Sequence, residues 1–307
     1  MEIEQRRRIL IIFGTRPEAL KLYPIIHYAE EFPNLKIESY FTNQQEKKYL
    51  DFIPTWSNFP LSEMGKWIEK DIGTIYIRLN DMFLFMREKI NCILVQGDTL
   101  SALVGALWGY YNKILVAHIE AGLRTYKENP FPEETNRKII DELSQIRFCP
   151  TEVNKNNLIG EEITGLNNKK INEIVGNTII DRLKMELDKG IVKENLGNYY
   201  ICTLHRRESW GKFKEMLGGF KILAEKLKEK QFFFISHPNK KLDNDFELLR
   251  NMKLLNPMPY SNMVSWLSGA EAILTDSGGL VEEASYLNIP CYILRDETER
   301  GEAVSCG

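Results

Sequence analysis

An apolar run, Ala272–Leu274, leads into Asp276-Ser277-Gly278-Gly279, and a helix-forming stretch carrying Glu283 follows. Two glycines let a backbone pass close to a ligand. The free N–H groups and the dipole of a newly started helix attract phosphate. Ser277 adds a hydroxyl donor, and Glu283, one turn on, could accept hydrogen bonds from sugar hydroxyls. An anion site beside a hydroxyl site suggests a nucleotide or a nucleotide sugar.

Other apolar runs end on charged clusters too. Arg8–Phe13 is followed by Gly14-Thr15-Arg16-Pro17-Glu18, with Lys21 one turn further. Arg16 and Lys21 would point two cations toward a ligand; surface charge at a helix start is the plainer alternative. Cys92–Gln96 is followed by Gly97 and Asp98. Asp98 would face the ligand, or simply cap a helix together with Thr99 and Ser101. Ile114–Ile119 leads to Glu120, Gly122 and Arg124, and then to Pro130-Phe131-Pro132-Glu133-Glu134-Thr135-Asn136-Arg137. Acidic residues suit a helix start in any case. In the second half, His205-Arg206-Arg207 expects a phosphate or carboxylate partner, while His237 reads as structural. As a set, the first half offers carboxylates (Asp98, Glu120, Glu133) and the second a phosphate loop and His205. That division suits a nucleotide sugar lying across an interdomain cleft.

The elements that must hold these residues alternate strand-like and helix-like. Arg8–Phe13, Lys36–Thr42, Cys92–Gln96, Ile114–Ile119 and Ile146–Cys149 read as buried strands, and Ser101–Tyr110 reads as an apolar helix. Tyr199–Leu204, Phe232–Ser236, Ala272–Thr275 and Cys291–Leu294 repeat the rhythm, with a helix at Phe213–Lys228. Strands alternating with helices imply parallel sheets covered on both faces. The polar stretch Gly160–Lys170 separates two domains, 1–170 and 171–307.

Composition narrows the classes. A 43% hydrophobic fraction over 307 residues suffices for two cores, and a net charge of −3 argues against nucleic acid as a partner. No apolar run approaches the ~20 residues of a membrane span, and no secretory signal is read. The five cysteines include no CxxC pair, and the four histidines no HxxxH spacing, so no metal is expected. A cytoplasmic homodimer is expected.

Taken in order, GTRPEALKLYPII (14–26), VQGDTLSAL (95–103), HIEAGLRT (118–125), PFPEETNRKIID (130–141), VGNTIID (175–181), HRRES (205–209), HPN (237–239), LTDSGGLVEEA (274–284) and RDETERGEAV (295–304) resemble the non-hydrolysing UDP-N-acetylglucosamine 2-epimerases. The resemblance covers essentially the whole chain. It implies two doubly wound, Rossmann-like α/β domains facing a cleft, the glycosyltransferase-B-type fold. It implies interconversion of UDP-GlcNAc and UDP-ManNAc by elimination of UDP, through a 2-acetamidoglucal, and re-addition, with no cofactor. By motif, Asp98, Glu120 and Glu133 match the acid/base residues and His205 the essential histidine. Arg16, Lys21, Ser277, Gly278, Gly279, Glu283 and Arg300 match the UDP side.

Four places depart from the family. Met263, with Tyr260 nearby, stands where a uracil-stacking aromatic is common. Gly301 replaces a proline in the closing loop. Thr42-Asn43-Gln44-Gln45 differs where some members bind an activating second UDP-sugar. The chain stops at Gly307, short of a helix that returns to the first domain, so a C-terminal truncation is expected. A hydrolysing epimerase, an epimerase of a modified UDP-sugar, a glycosyltransferase of the same fold and an inactive UDP-sugar-binding protein are the alternatives.

Overall fold

The computed structural model describes residues 6–45, 71–85, 90–161, 170–191, 194, 198–204, 211–235 and 249–305. The chain divides into two compact units, Met1–Thr178 and Ile179–Gly307.

The first unit holds a six-stranded parallel sheet of β1 (Arg7–Phe13), β2 (Leu35–Phe41), β3 (Cys92–Gln96), β4 (Leu115–Ile119), β5 (Ile146–Cys149) and β6 (Ile171–Ile174). Its order is β2-β1-β3-β4-β5-β6. The helices are α1 (Arg16–Ala29), α2 (Ile72–Phe85), α3 (Leu100–Tyr111), α4 (Glu133–Leu143) and α5 (Glu152–Gly160). Strand β1 shows why the sheet is buried on both faces. Leu10 and Ile12 point into one apolar cluster with Trp108 of α3, and Ile11 and Phe13 into another with Ala19 and Leu22 of α1. Each such side chain contributes about 1.5–3 kcal/mol by leaving water. Helix α3 sits close on the sheet because Gly109 has no β-carbon; one there would come within 2.8 Å of Val116.

The second unit holds a five-stranded parallel sheet in the order β11-β10-β7-β8-β9. Its strands are β7 (Tyr199–Thr203), β8 (Gln231–Ile235), β9 (Met252–Leu255), β10 (Ala272–Thr275) and β11 (Cys291–Ile293). Around it lie α6 (Thr178–Leu187), α7 (Phe213–Lys226), α8 (Tyr260–Gly269), α9 (Gly278–Leu287) and the short α10 (Gly301–Ser305). Strand β7 again alternates, with Cys202 in one cluster and Tyr199 and Ile201 in the other. Burial pushes the thiols of Cys149 and Cys291 up to about 11, and both side chains serve as small hydrophobes.

The sequence boundary at residue 170 is corrected. Strand β6 pairs with β5, Ile146 opposite Ile171, and so completes the first sheet. Among the described residues no helix is long and apolar enough to cross a membrane.

In both sheets the strand order reverses at one place. In the first it lies between β1 and β3, in the second between β7 and β10. Open α/β sheets bind ligands at the carboxyl ends of the strands beside such a switch point.

Candidate active site

The first switch point carries Gly14-Thr15 after β1 and Gly97-Asp98-Thr99 after β3. The buried Glu18 joins the two loops. Its carboxylate accepts from the Gly14 N–H (3.0 Å), the Thr15 hydroxyl (2.8 Å) and the Thr99 hydroxyl (2.7 Å). Burial pushes its pKa up to about 7 although the three donors pull the other way. Arg16 is half-buried, and its backbone N–H donates to Gln45 Oε1 at 2.8 Å.

Asp98 sits in a tight turn. Gly97 takes a φ of +70°, which glycine adopts without a β-carbon clash. Thr99 caps α3, accepting from the Ala102 N–H at 3.1 Å. Capping therefore falls to Thr99, and the Asp98 carboxylate pairs with Arg137 Nη2 at 2.5 Å. Asn136 Nδ2 donates to the Asp98 carbonyl at 2.9 Å. The Asp98 side chain keeps 26% exposure beside the nearly buried Arg137. Of the two acidic residues opening α4, Glu134 is buried and accepts the Thr125 and Tyr126 N–H groups, both at 3.1 Å. Glu133 is half-buried.

Glu120 follows β4 with a φ of +69°, uncommon for a residue with a side chain. Lys21 Nζ lies 2.8 and 2.6 Å from its two carboxylate oxygens. Gln96 Nε2 and Asn177 Nδ2 also donate to it, the latter at 2.9 Å. Lys21, expected to point toward a ligand, has its ammonium buried against Glu120.

At the second switch point, the Thr203 and Thr275 hydroxyls meet at 2.6 Å, tying β7 to β10. Thr275 Oγ1 also accepts the Ser277 N–H at 2.9 Å. Ser277 is the N-cap of α9, and its hydroxyl makes no cap bond to the helix. A β-carbon at Gly278 would collide with the Arg300 guanidinium and the Glu299 carboxylate, which places Arg300 against the start of α9. Arg300 donates to Glu282 (2.9 Å) and Glu299 (2.6 Å). Gly279 has open space where a β-carbon would stand. Glu283 is buried and accepts from the Tyr260 hydroxyl at 2.7 Å. Burial, and then the Glu283 carboxylate, push that phenol far up. Met263 packs on the apolar cluster of Tyr199 and Leu267.

The structure gathers Asp98, Glu120, Lys21 and Arg16 in the first unit, and Ser277, Gly278, Gly279, Glu283 and Arg300 in the second. His205 lies outside the described residues, as does His237. Sequence reasoning missed Glu18, Gln96, Asn136, Arg137 and Asn177. Asn136 and Arg137 follow Glu133 by one helical turn, a spacing that sets them on its face. Among the described residues, no group of three or more His, Cys, Asp or Glu side chains is placed to hold a metal ion.

Two parallel doubly wound sheets, each with its polar side chains gathered at the switch point, define a two-unit α/β protein of the glycosyltransferase-B type. The family model for UDP-N-acetylglucosamine 2-epimerase matches residues 41–307. The UDP-N-acetylglucosamine 2-epimerase of Campylobacter jejuni is 36% identical, over 98% of this chain and 84% of its own length. That of Methanocaldococcus jannaschii is 37% identical, over 98% and 87%. The crystal structure of UDP-GlcNAc 2-epimerase from Neisseria meningitidis bound to UDP-GlcNAc is similar with a TM-score of 0.84 at 32% identity, covering 97% of this chain and 85% of that one. The chain belongs to the UDP-N-acetylglucosamine 2-epimerase family.

Proposed function

We propose that this chain interconverts UDP-GlcNAc and UDP-ManNAc by the non-hydrolysing route. The C2–H proton is removed, the C1–O bond to UDP breaks, and a C1=C2 double bond forms. UDP then adds back to C1 while a proton returns to the opposite face of C2. No carbonyl adjoins C2, so the proton is weakly acidic. The step needs a positioned base and a stabilised leaving diphosphate.

The observation that carries this reading is the division between the two switch points. Carboxylates stand at the first, and a glycine-rich helix start with an arginine against it stands at the second. Asp98, Glu120 and Glu133 take the acid/base roles in the first unit. Asp98 is paired with Arg137 and Glu120 with Lys21. In the second unit, Ser277, the opening N–H groups of α9 and Arg300 hold the diphosphate, with Glu283 toward the ribose. His205, assigned by motif, joins the diphosphate side. The reading includes a homodimer in the cytoplasm, the former checked by sedimentation.

Proton NMR of UDP-GlcNAc with the protein in heavy water tests it. UDP-ManNAc should appear and deuterium should enter carbon 2. Absence of exchange at every enzyme concentration sinks the proposal, and free ManNAc in place of UDP-ManNAc converts it to the hydrolysing reaction. Asp98→Asn should retain UDP affinity and lose the exchange.

A further inference from the structure

His118 lies in β4, fully buried, and the reaction scheme above leaves it without a role. Its Nδ1 is 2.7 Å from Asp141 Oδ1, and its Nε2 is 2.7 Å from the Gly97 carbonyl oxygen. A carbonyl can only accept, so Nε2 carries a proton and donates. Asp141 is equally committed as an acceptor. Its other oxygen takes the Gly122 N–H at 3.2 Å and stands 2.8 Å from Arg124 Nη1. Nδ1 therefore donates as well. Arg124 continues the row by donating through Nε and Nη2 to Glu161, at 2.9 and 2.7 Å. Four charges alternate in sign: His118, Asp141, Arg124, Glu161. Each interior charge has opposite neighbours, the arrangement a dry interior requires.

The far end of the row is the turn that presents Asp98. Helix α4 grips this turn three ways. Asn136 holds the Asp98 carbonyl, Arg137 holds the Asp98 carboxylate, and Asp141 reaches the Gly97 carbonyl through His118. The same helix opens with Glu133. The charged neighbours of His118 are Asp141 on α4, Arg124 in the loop after β4, Glu120 two residues on, and Arg147 opposite it in register on β5, itself bonded to Asn172.

We propose that His118 is a positioning residue: it donates from both ring nitrogens, and through the Gly97 carbonyl it ties the Asp98 turn to the helix that carries Glu133. The inference rests on the reading of Asp98 and Glu133 as acid/base groups. A displacement of about 1 Å at a reacting group can lower a rate by ~10²-fold, so the tie bears on turnover more than on binding.

Two measurements test it. In protein labelled with ¹⁵N-histidine, only four ring systems contribute, and His118→Gln identifies the relevant one. Both His118 ring N–H protons should be observed at the pH of full activity; a ring with one bare nitrogen overturns the proposal. In His118→Gln, kcat per UDP-titrated site should fall about 10²-fold with UDP affinity retained. An unchanged kcat per site overturns the positioning role. Should His118→Gln not fold, Asp141→Asn, which keeps an acceptor for Nδ1 and loses the charge, should show the same loss of kcat. Absence of carbon-2 exchange in the unmodified protein would instead remove the proposed reaction, and the positioning role with it, while the N–H measurement would still report on the buried row.

Discussion

The Lys21 ammonium and the Glu120 carboxylate form an ion pair across 99 residues of sequence, with Nζ–O distances of 2.8 and 2.6 Å and both groups buried. The pair joins α1 to the end of β4. Replacing Lys21 by Met leaves a buried carboxylate that has lost its ammonium partner, with Gln96 and Asn177 still donating to it. Removing one partner of a buried pair costs about 3–5 kcal/mol, and urea unfolding of Lys21→Met should show a loss of that order. If Glu120 moves a proton in turnover, the same substitution should also lower kcat in the carbon-2 exchange assay; unchanged exchange would take Glu120 out of the acid/base set.

Glu18 gives a separate pH dependence. Its carboxyl is raised from the ordinary 4.5 to about 7 by burial. Between those values the folded protein holds more protons than the unfolded chain, so stability falls as pH rises through the window. The full effect is about 3 kcal/mol. Glu18→Gln keeps the shape and removes the titration. Its unfolding free energy should vary less between pH 5 and pH 8 than that of the unmodified protein. Equal variation in the two proteins would show that Glu18 does not titrate in that range.

How much of this the sequence disclosed follows from which contacts are local. Asp98, Glu120 and Ser277 could be found because each directly follows a recognisable buried strand, and strand ends are where α/β ligands gather. The Lys21–Glu120 pair could not, because both residues look like helix-start or strand-end charges until the sheet brings them together. Glu18 was visible within Gly14–Glu18 but was given no role, since its donors include Thr99, 81 residues away. The misplaced domain boundary has a similar cause. Gly160–Lys170 is as polar as a linker, and β6 shows exposed Ile171 and Ile174, so nothing local marks it as an edge strand of the first sheet. Strand β9 escaped because four residues, two of them exposed, carry too little pattern.

Ser277 separates binding from folding. Its hydroxyl makes no cap bond to α9, so Ser277→Ala should leave the melting temperature nearly unchanged. If the hydroxyl donates to a diphosphate oxygen, UDP affinity should fall by about 1.5–3 kcal/mol, the value of a hydrogen bond to a charged group. Calorimetric titration with UDP checks both the affinity and, through the melting curve of the same sample, the fold. Unaltered affinity would exclude Ser277 from the site.

The two glycines that follow make the sharper comparison, because they stand side by side at the start of α9 in different surroundings. At Gly278 a β-carbon would strike the Arg300 guanidinium and the Glu299 carboxylate. Arg300 is already fixed by Glu282 and Glu299, and Glu299 by Arg295 at 2.8 Å, so the group cannot move without breaking an ion pair. Gly278→Ala should therefore cost about 1–3 kcal/mol of stability, as overpacking does, and displace Arg300. At Gly279 nothing within 4 Å opposes a β-carbon. Alanine there should stabilise the helix by about 0.5–1 kcal/mol. If a diphosphate approaches the backbone of this turn, the added methyl will obstruct it, and Gly279→Ala will be a more stable protein that binds UDP more weakly. Stability and affinity should thus fall together at Gly278 and move in opposite directions at Gly279. Thermal unfolding with UDP titration of both variants decides the point, and a Gly279→Ala protein with full UDP affinity would show that the phosphate lies elsewhere.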